Sequence, residues 1–389
     1  MLKSKYSLPT RGAGFVVLIS FIYSLAGTIS IPVFSLYIES LVGEPAYVGY
    51  FMSLIYFMIL VYILISTYFL RNFNKITILR FSMLGSGIGF LLLTIVNNAF
   101  QLLIIEIFRA LFIALNFIVI GILIRDGSKK STISKNEGFY FAIINMSFFI
   151  GPIIGGLLAD AYSIKIVFLI SAIFPLLVFF LLLTKKRKEE KTEASEIKIF
   201  DNIKEYFKSK DQTINYIISL GLLSWLAIIY SYMPLYMNQE GLNEKTIGYF
   251  LALTVLPLII LEIPISKLSE KTGYRKLFFL GFLLIGIFGI LGVVFKNIYL
   301  TLLSFVLTNL GVAFVEPLKE AYFFKISKRS DEIKYYPVFK TSSDVGHLTG
   351  PLIFSTVLLF TNFKTMFLVA SIIMIILGFI SLKLKEVKK

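Results

Sequence analysis

The chain has 389 residues, of which 57% are hydrophobic, and its mean hydropathy is +0.84. Soluble domains carry about 45–50% apolar residues, so this composition excludes an ordinary soluble protein. A net charge of +15 would suggest a nucleic-acid partner for a soluble chain, but the positions of the charges indicate another cause. The chain has no cysteine and a single histidine, His347, so we predict no disulfides, no metal site and no cofactor.

The hydrophobic residues are concentrated in runs of roughly 20, the length needed to cross a hydrocarbon core about 30 Å thick. Only helices and closed barrels satisfy the backbone in lipid, and these runs are too long for barrel strands of about 9–11 residues. We therefore predict an all-α membrane protein with twelve transmembrane helices. The predicted spans are 13–38, 46–70, 76–96, 99–124, 137–159, 162–184, 213–237, 246–266, 276–295, 299–324, 336–360 and 363–383.

Lysine and arginine are unevenly distributed between the predicted loops. With both termini in the cytoplasm, most of the 38 basic residues fall on the cytoplasmic side. The positive-inside rule therefore predicts a multi-pass protein of the cell membrane with cytoplasmic N- and C-termini, whose polyanionic partner is the lipid bilayer and not nucleic acid. The outer loops contain Lys165, Lys245, Lys296 and Lys364.

The longest polar stretch, 185–212, begins with four consecutive basic residues and separates an N-terminal bundle, 1–184, from a C-terminal bundle, 213–389. Apolar residues recur in this linker at helical spacing, with lysines between them. The pattern predicts a short amphipathic helix on the cytoplasmic leaflet, and a solvated charged linker is the alternative. The recurring apolar residues are Ile199, Ile203 and Phe207.

The two sets of six spans align at a constant offset of 199 residues. One offset that serves the second, third and fifth helix pairs, besides the tyrosine match in the first pair, predicts a duplication and two pseudo-symmetric six-helix bundles. Repeated bundles of this kind are a known transporter layout, with the substrate near the midplane at the repeat interface. The matches are Tyr37 with Tyr236, Gly49–Phe51 with Gly248–Phe250, Gly87 with Gly286, and Gly151–Pro152 with Gly350–Pro351.

The loop after the eighth span reads SKLSEKTGYRK over residues 266–276. It resembles the cytoplasmic signature loop of the major facilitator superfamily, with Glu270 as its acid, Gly273 as its turn glycine and Arg275 among its cations. The resemblance implies a cytoplasmic gate in which the acid and the cations latch helix ends. Glu262, at the end of the eighth span, is a further candidate for this gate.

A cluster of small residues in the fifth span resembles the G-P-x-x-G-G pattern of the same superfamily, and the eleventh span repeats its beginning. Small residues let helices approach closely, and proline bends them. The stretch 26–51 looks like the start of bacterial sugar efflux transporters and is also similar to drug exporters. The packing residues are Gly151, Pro152, Gly155, Gly156, Gly350 and Pro351.

Charged residues within spans cost about 2.5–3.5 kcal/mol each at a helix centre, so they are candidates for transport or coupling. In the fourth span, Glu106 and Arg109 share one face, and Asn116 lies two turns further along it. One hypothesis is that Arg109 orients a polar substrate or tunes the pKa of Glu106, which carries a proton. The alternative is a neutralised structural pair.

The tenth and eleventh spans hold a second group of charges. Because the two helices run antiparallel, Glu320 is expected opposite Lys340, and Glu316 opposite Asp344. The opposed carboxylates favour a proton-responsive network, and a salt-bridged gate without proton transfer is the alternative. This group also contains Lys319 and His347. Three other residues are candidates for lining the cavity: Tyr23, Trp225 and Asn309.

The chain contains no phosphate-binding loop, so we predict that an ion gradient drives it or that it is a uniporter. The resemblance implies a secondary transporter that works by alternating access, not an enzyme. We expect a monomer that exports a sugar or an amphipathic drug-like compound in exchange for protons. An importer, a uniporter and a membrane-embedded enzyme are the alternatives.

Overall fold

A computed structural model describes residues 11–126, 133–184, 199–329 and 331–386. The described residues are almost entirely helical, and twelve helices are long and apolar enough to cross a membrane. The predicted all-α fold with twelve spans is therefore confirmed. The helices are α1 (Arg11–Val42), α2 (Pro45–Asn72), α3 (Lys75–Leu93), α4 (Ala99–Asp126), α5 (Ile133–Ala161), α6 (Ile164–Leu183), α7 (Ile199–Tyr206), α8 (Lys210–Gln239), α9 (Glu244–Thr272), α10 (Tyr274–Val294), α11 (Ile298–Ile326), α12 (Glu332–Phe360) and α13 (Phe363–Ser381).

Several helices begin where a short polar side chain caps the first turn. The side chains of Ser163, Ser209 and Asn362 accept hydrogen bonds from backbone N–H groups at the starts of α6, α8 and α13. Such caps satisfy donors that have no partner within the helix. α10 begins instead at Gly273, whose φ of 85° is in the left-handed region that favours glycine.

The chain forms two compact units. Unit 1 comprises residues 1–41, 57–195 and 244–252, and unit 2 comprises the rest. The first part of α9 thus belongs to the same unit as α1–α6, and the first part of α2 belongs to the same unit as α8–α13. The sequence halves were divided at the linker. The two units therefore differ from the sequence halves at the first parts of α2 and α9.

The same helix contacts recur in the two units at the sequence offset. Tyr37 packs edge-on against Phe168 with ring centroids 4.9 Å apart, and Tyr236 packs edge-on against Phe367 at 6.0 Å. Phe367 follows Phe168 by the same 199 residues that relate the two tyrosines. The pseudo-symmetry is therefore present in the packing of each unit as well as in the sequence.

The predicted packing residues lie where helices approach closely. A Cβ added to Gly350 would lie 2.8 Å from the backbone oxygen of Ser224 in α8, and one added to Gly156 would lie 3.0 Å from the Cα of Gly248 in α9. Gly151 and Gly155 face α1 with equally little space. At Pro152 and Pro351 the ring removes a backbone donor, and the Pro351 carbonyl accepts from Tyr232 Oη at 3.0 Å.

The linker contains the helix α7, which packs on unit 2. Tyr206 is fully buried in a cluster with Phe323, Tyr335 and Phe339, whereas Phe207 remains 41% exposed. The apolar side of α7 therefore contacts protein. The amphipathic pattern of the sequence alone predicted that this side lies on the lipid leaflet. Residues 185–198, including the basic run at the start of the linker, lie outside the described residues.

Candidate functional site

The charged pair of α4 lies in the interior of unit 1. Arg109 Nη1 donates to Glu106 Oε1, and the guanidinium carbon lies 4.3 Å from the ring centroid of Phe90 and 5.7 Å from that of Phe34. Glu106 is 1% exposed and Arg109 is 8% exposed. The pair is neutralised and covered by rings from α1 and α3, so its geometry favours the structural interpretation over substrate contact.

Asn116 belongs to a second polar group in the same interior. Ser82 Oγ donates to Asn116 Oδ1 at 2.5 Å, and Asn116 Nδ2 donates to Ser86 Oγ at 3.2 Å. Tyr23 forms side-chain hydrogen bonds with Asn116 and Ser86. Since Asn116 is fully buried, these bonds satisfy polar atoms that would otherwise destabilise the fold.

An ion pair joins α11 to α12 in unit 2. Lys340 Nζ donates to Glu320 Oε1 at 2.6 Å, and Tyr336 Oη donates to Glu320 Oε2 at 3.4 Å. The side chains of Lys340 and Glu320 are 34% and 28% exposed. Counting along the two antiparallel helices places these residues at similar depth, and the structure brings them together. Both side chains are partly exposed.

Glu316 pairs within its own helix. Lys319 Nζ donates to both of its carboxylate oxygens, at 2.9 and 2.8 Å. The sequence predicted that the carboxylates of Glu316 and Asp344 lie opposite each other across the helices, and that stays a prediction; the structure adds that Glu316 is neutralised by Lys319. Residues three apart on a helix are immediate neighbours, so the lysine reaches Glu316 from the adjacent turn.

Asp344 has no ion pair or hydrogen bond to its carboxylate within the described part of the chain, although Lys340 acts on it electrostatically. One turn before it, the Thr341 hydroxyl lies 3.0 Å from Tyr216 Oη. One turn after it, the ring of His347 lies 5.0 Å from that of Tyr56. Along α12, Asp344 therefore lies between two positions that contact tyrosines, Thr341 with Tyr216 of α8 and His347 with Tyr56 of α2.

His347 lies one turn after Asp344 and near the α11 pair. Its Nδ1 lies 2.8 Å from the carbonyl oxygen of Ser343, which leaves Nε2 for other contacts. The ring is within electrostatic range of Glu316 and Lys319. Thus His347, Asp344 and the two ion pairs form one group, which we call the α11–α12 cluster: Glu316, Lys319, Glu320, Lys340, Asp344 and His347.

The signature loop contacts an acid near the C-terminus. Arg275 Nε lies 3.3 Å from Glu386 Oε2, and a Cβ on Gly273 would lie 2.7 Å from Glu386 Cδ. Arg275 is thus held by an acid near the C-terminus, whereas Glu270 is exposed at the end of α9. Glu262 is half-buried and within electrostatic range of Glu316, so it lies near the α11–α12 cluster.

A model of the family described as Major Facilitator Superfamily matches residues 16–261 and 227–389. The chain belongs to the Major Facilitator Superfamily. It is therefore a multi-pass membrane protein that acts as a secondary transporter of small molecules and not as an enzyme.

Two of the curated relatives are described as uncharacterized transporters. The uncharacterized MFS-type transporter MJ1560 of Methanocaldococcus jannaschii is 25% identical over 302 residues, which cover 76% of this chain and 78% of the relative. The uncharacterized MFS-type transporter YcaD of Escherichia fergusonii is 26% identical over 165 residues, so the match spans 40% of each protein.

Solved structures of the superfamily share the fold at low identity. A peptide transporter POT in complex with sulfate has a TM-score of 0.78 at 13% identity, covering 96% of this chain and 94% of that one. A bacterial homolog of the human lysosomal transporter Spinster has a TM-score of 0.80 at 10% identity, covering 96% of each chain. At such identities the likeness shows the fold alone.

Two residues that the sequence analysis named as candidates for lining the cavity, Trp225 and Asn309, are buried. Trp225 is fully buried and stacked on Phe305 at 6.4 Å, and Asn309 Nδ2 donates to the Phe305 carbonyl at 3.3 Å. Both are buried in the core of unit 2. Sequence reasoning missed Tyr56 and Tyr216, because 21 tyrosines in an apolar chain give no signal that separates two of them from the rest.

Proposed function

We propose that this transporter exports a small molecule in exchange for protons, and that the α11–α12 cluster carries the coupling. The observation that supports the coupling is Asp344, a carboxylate inside a spanning helix without an ion-pair or hydrogen-bond partner in the described residues. An ionised group in a span is costly, so an unpaired acid there is suited to take up and release a proton.

The balance of charge within the cluster supports the same role. Two lysines are each taken by one glutamate, which leaves Asp344 as the surplus acid. Protonation of Asp344 changes the net charge of the cluster without breaking either ion pair. A change of this kind can bias a two-state helix arrangement, which is what alternating access requires.

The α4 pair has a different role in this proposal. Glu106 and Arg109 stabilise the interior of unit 1, since each neutralises the other away from solvent. The export direction and the choice between a sugar and an amphipathic compound are supported by the likeness of residues 26–51 to efflux transporters. We further propose a monomer, which light scattering of the purified protein tests directly.

The proposed orientation places both termini in the cytoplasm, following the charge asymmetry. The chain contains no cysteine, so single cysteines can be introduced without background labelling. A cysteine at Lys364 should react with an impermeant maleimide in intact cells, whereas one at Lys276 should react only after permeabilisation. The reverse pattern would overturn the orientation.

Reconstituted transport tests the proposed function. Ligands are first selected by thermal shift from sugars, drugs and amino acids, because a ligand that prefers the folded state raises its apparent stability. Export of the selected ligand in proteoliposomes should follow an imposed pH gradient, and Asp344→Asn should abolish the dependence on that gradient. Asp160→Asn, at an exposed aspartate of α5, is the matched control. Gradient-driven transport that survives Asp344→Asn would refute the coupling role.

A further inference from the structure

A short segment, residues 382–386, follows α13 and belongs to unit 2. Its first residues continue the helix with tighter bonds: the N–H groups of Leu382, Lys383 and Leu384 each donate to the carbonyl three residues earlier, at 3.2, 3.0 and 3.1 Å. The Leu384 side chain is 2% exposed. Burial of a leucine stabilises the contact that buries it, so this segment is part of the folded unit. We call residues 382–386 the α13 strap.

The α13 strap contacts three other helices of the same unit. The Lys385 N–H donates to Asp211 Oδ1 in the first turn of α8 at 2.8 Å. Tyr322 Oη of α11 donates to the Lys385 carbonyl at 3.0 Å, and this tyrosine is fully buried. Arg275 Nε, in the first turn of α10, lies 3.3 Å from Glu386 Oε2. Two consecutive residues of the strap thus connect three helix ends that are distant in sequence.

The carboxylate of Glu386 occupies the space in front of Gly273. A Cβ on this glycine would lie 2.7 Å from Glu386 Cδ, so a side chain there would displace the carboxylate. Both carboxylate oxygens are buried and accept no hydrogen bond within the described residues, which leaves the ion pair with Arg275 to compensate the charge. A buried charge requires a partner of opposite charge. The glycine and the arginine therefore form a seat for Glu386.

Unit 1 has a tie at the corresponding place, made from different residues. Arg80 Nε and Nη2 donate to the carbonyl of Leu182 at 3.2 and 2.8 Å, which fastens α3 to the end of α6. At the offset of 199 residues Arg80 corresponds to Phe279, which has no charged group. Unit 2 instead fastens α10 to the strap after α13 through Arg275 and Glu386. In both units an arginine thus ties the third spanning helix to the end of the sixth.

We propose that the α13 strap is a clamp that holds the neighbouring ends of α8, α10, α11 and α13 together as one body, with Glu386 anchored in the seat of Gly273 and Arg275. Alternating access moves groups of helices against each other, so each group must resist separation of its own helix ends. The clamp requires neither a direction of transport nor proton coupling, so it goes beyond the proposed function and is tested independently of it.

Hydrogen exchange of the protein in lipid nanodiscs tests the clamp. Deletion of residues 383–389 removes the strap, and deletion of residues 387–389, which keeps it, is the matched control. The first deletion should speed exchange of the backbone amides at the starts of α8 and α10 at least about tenfold, because the lost contacts permit local opening. The control should match the unchanged protein. Amides 75–82 of α3 should exchange equally in all three proteins, because Arg80 ties that helix separately.

A smaller change addresses the seat without shortening the chain. Glu386→Gln removes the charge and should speed exchange several-fold at the start of α10, with little change at α8, where the Lys385 N–H keeps its contact with Asp211. Monodisperse elution establishes that each variant is folded. Unchanged exchange at α8 and α10 after removal of the strap would overturn the clamp. Equally faster exchange in α3 would overturn it too, because the loss would then be general.

Two glycines of unit 2 separate the seat from backbone strain. Gly273 and Gly241 have φ angles of 85° and 81°, and a Cβ on Gly241 would meet no atom within 4 Å. Gly273→Ala should therefore lower the unfolding temperature more than Gly241→Ala, since both are strained and only the first displaces Glu386. In a Glu386→Ala background the two substitutions should lower it equally. Equal shifts in the unchanged protein, or a difference that persists in Glu386→Ala, would refute the seat.

Discussion

The N-terminal half keeps its charged pair, Glu106 and Arg109, in the interior of unit 1, whereas the C-terminal half places Glu320 and Lys340 in a partly exposed pair between two helices. Both pairs lie in spanning helices, and both have good contact geometry. Their exposure differs: the first pair is buried, and the side chains of the second are 34% and 28% exposed. This difference supports our proposal that the first pair is structural and that the second belongs to the coupling group.

The duplication relates α4 to α11, but the charged residues of α4 have no charged counterparts at the corresponding positions of α11. At the offset of 199 residues, Asn116 corresponds to Val315 and its partner Ser82 to Gly281. A Cβ on Gly281 would lie 2.7 Å from Val315, so the same helix contact is apolar in unit 2. At this contact the duplicated backbone thus accommodates polar side chains in one unit and apolar ones in the other.

The largest effect is expected from breaking the α4 pair. Glu106→Gln leaves Arg109 buried without its counter-charge and should lower the free energy of unfolding by about 3–5 kcal/mol. Glu320→Gln should cost less than about 1 kcal/mol, because its pair with Lys340 is partly solvated. Thermal unfolding of the purified variants in detergent measures both.

A double variant is the control for this comparison. Glu106→Leu combined with Arg109→Met removes both charges and should restore most of the stability lost in the single variant, since neither charge is left alone. Equal unfolding temperatures for Glu106→Gln and Glu320→Gln would show that the two pairs do not differ as we describe.

The polar contact at Asn116 in unit 1 and the apolar contact at the corresponding Val315 in unit 2 can be compared by exchanging the two side chains. Asn116→Val leaves Ser82 and Ser86 without their partner and should cost about 1–3 kcal/mol. Val315→Asn places an amide where no polar partner is available and should cost a similar amount. Unfolding temperatures measure the two changes, and tolerance of Val315→Asn would mean that unit 2 can satisfy a polar group at this position.

Glycines at close and open positions should respond in opposite directions. Gly350→Ala places a methyl group 2.8 Å from the backbone oxygen of Ser224, and the resulting overpacking should cost about 1–3 kcal/mol. Gly121→Ala in α4 meets no atom within 4 Å and should stabilise its helix by roughly 0.5–1 kcal/mol. The two unfolding temperatures should move apart, and a shift of the same sign in both would contradict the close packing of α12 on α8.

The smallest effect concerns the ion pair between α7 and α12. Lys334 Nζ donates to Glu205 Oε2 at 2.7 Å, which holds the pKa of the Glu205 carboxyl below its usual value. Since the pKa is lower in the folded state, the contribution is present at neutral pH and lost as the pH falls through that pKa. The difference in unfolding temperature between Glu205→Gln and the unchanged protein should be small at neutral pH and vanish in acid, and a difference that grows in acid would be the wrong sign.

Much of the architecture was predictable from the sequence. The apolar runs predict the spans, and the 199-residue offset that matches Tyr37 with Tyr236 predicts two repeated bundles, in which each of these tyrosines packs edge-on against a phenylalanine. The cross-helix pair of Glu320 and Lys340 follows from counting along antiparallel helices. These inferences succeed because helical periodicity and bilayer thickness constrain depth and face over a whole helix.

The partners of individual charges were less predictable. The sequence named Arg275 and Lys319 as candidates without giving either a partner, and the structure pairs Lys319 with Glu316 and Arg275 with Glu386. Helical spacing gives the depth of a side chain but not which of several neighbours it reaches. Glu386 also lies more than a hundred residues from Arg275, beyond any local pattern.

The sequence by itself determined the class of the molecule, because only spanning helices can bury runs of 20 apolar residues in lipid, and the duplication is written in the offset of its halves. The tertiary structure decided which charges are neutralised and which acid is left over. That choice depends on side chains from different helices meeting at one depth, as Glu320 of α11 and Lys340 of α12 do, and it is fixed only when the helices pack.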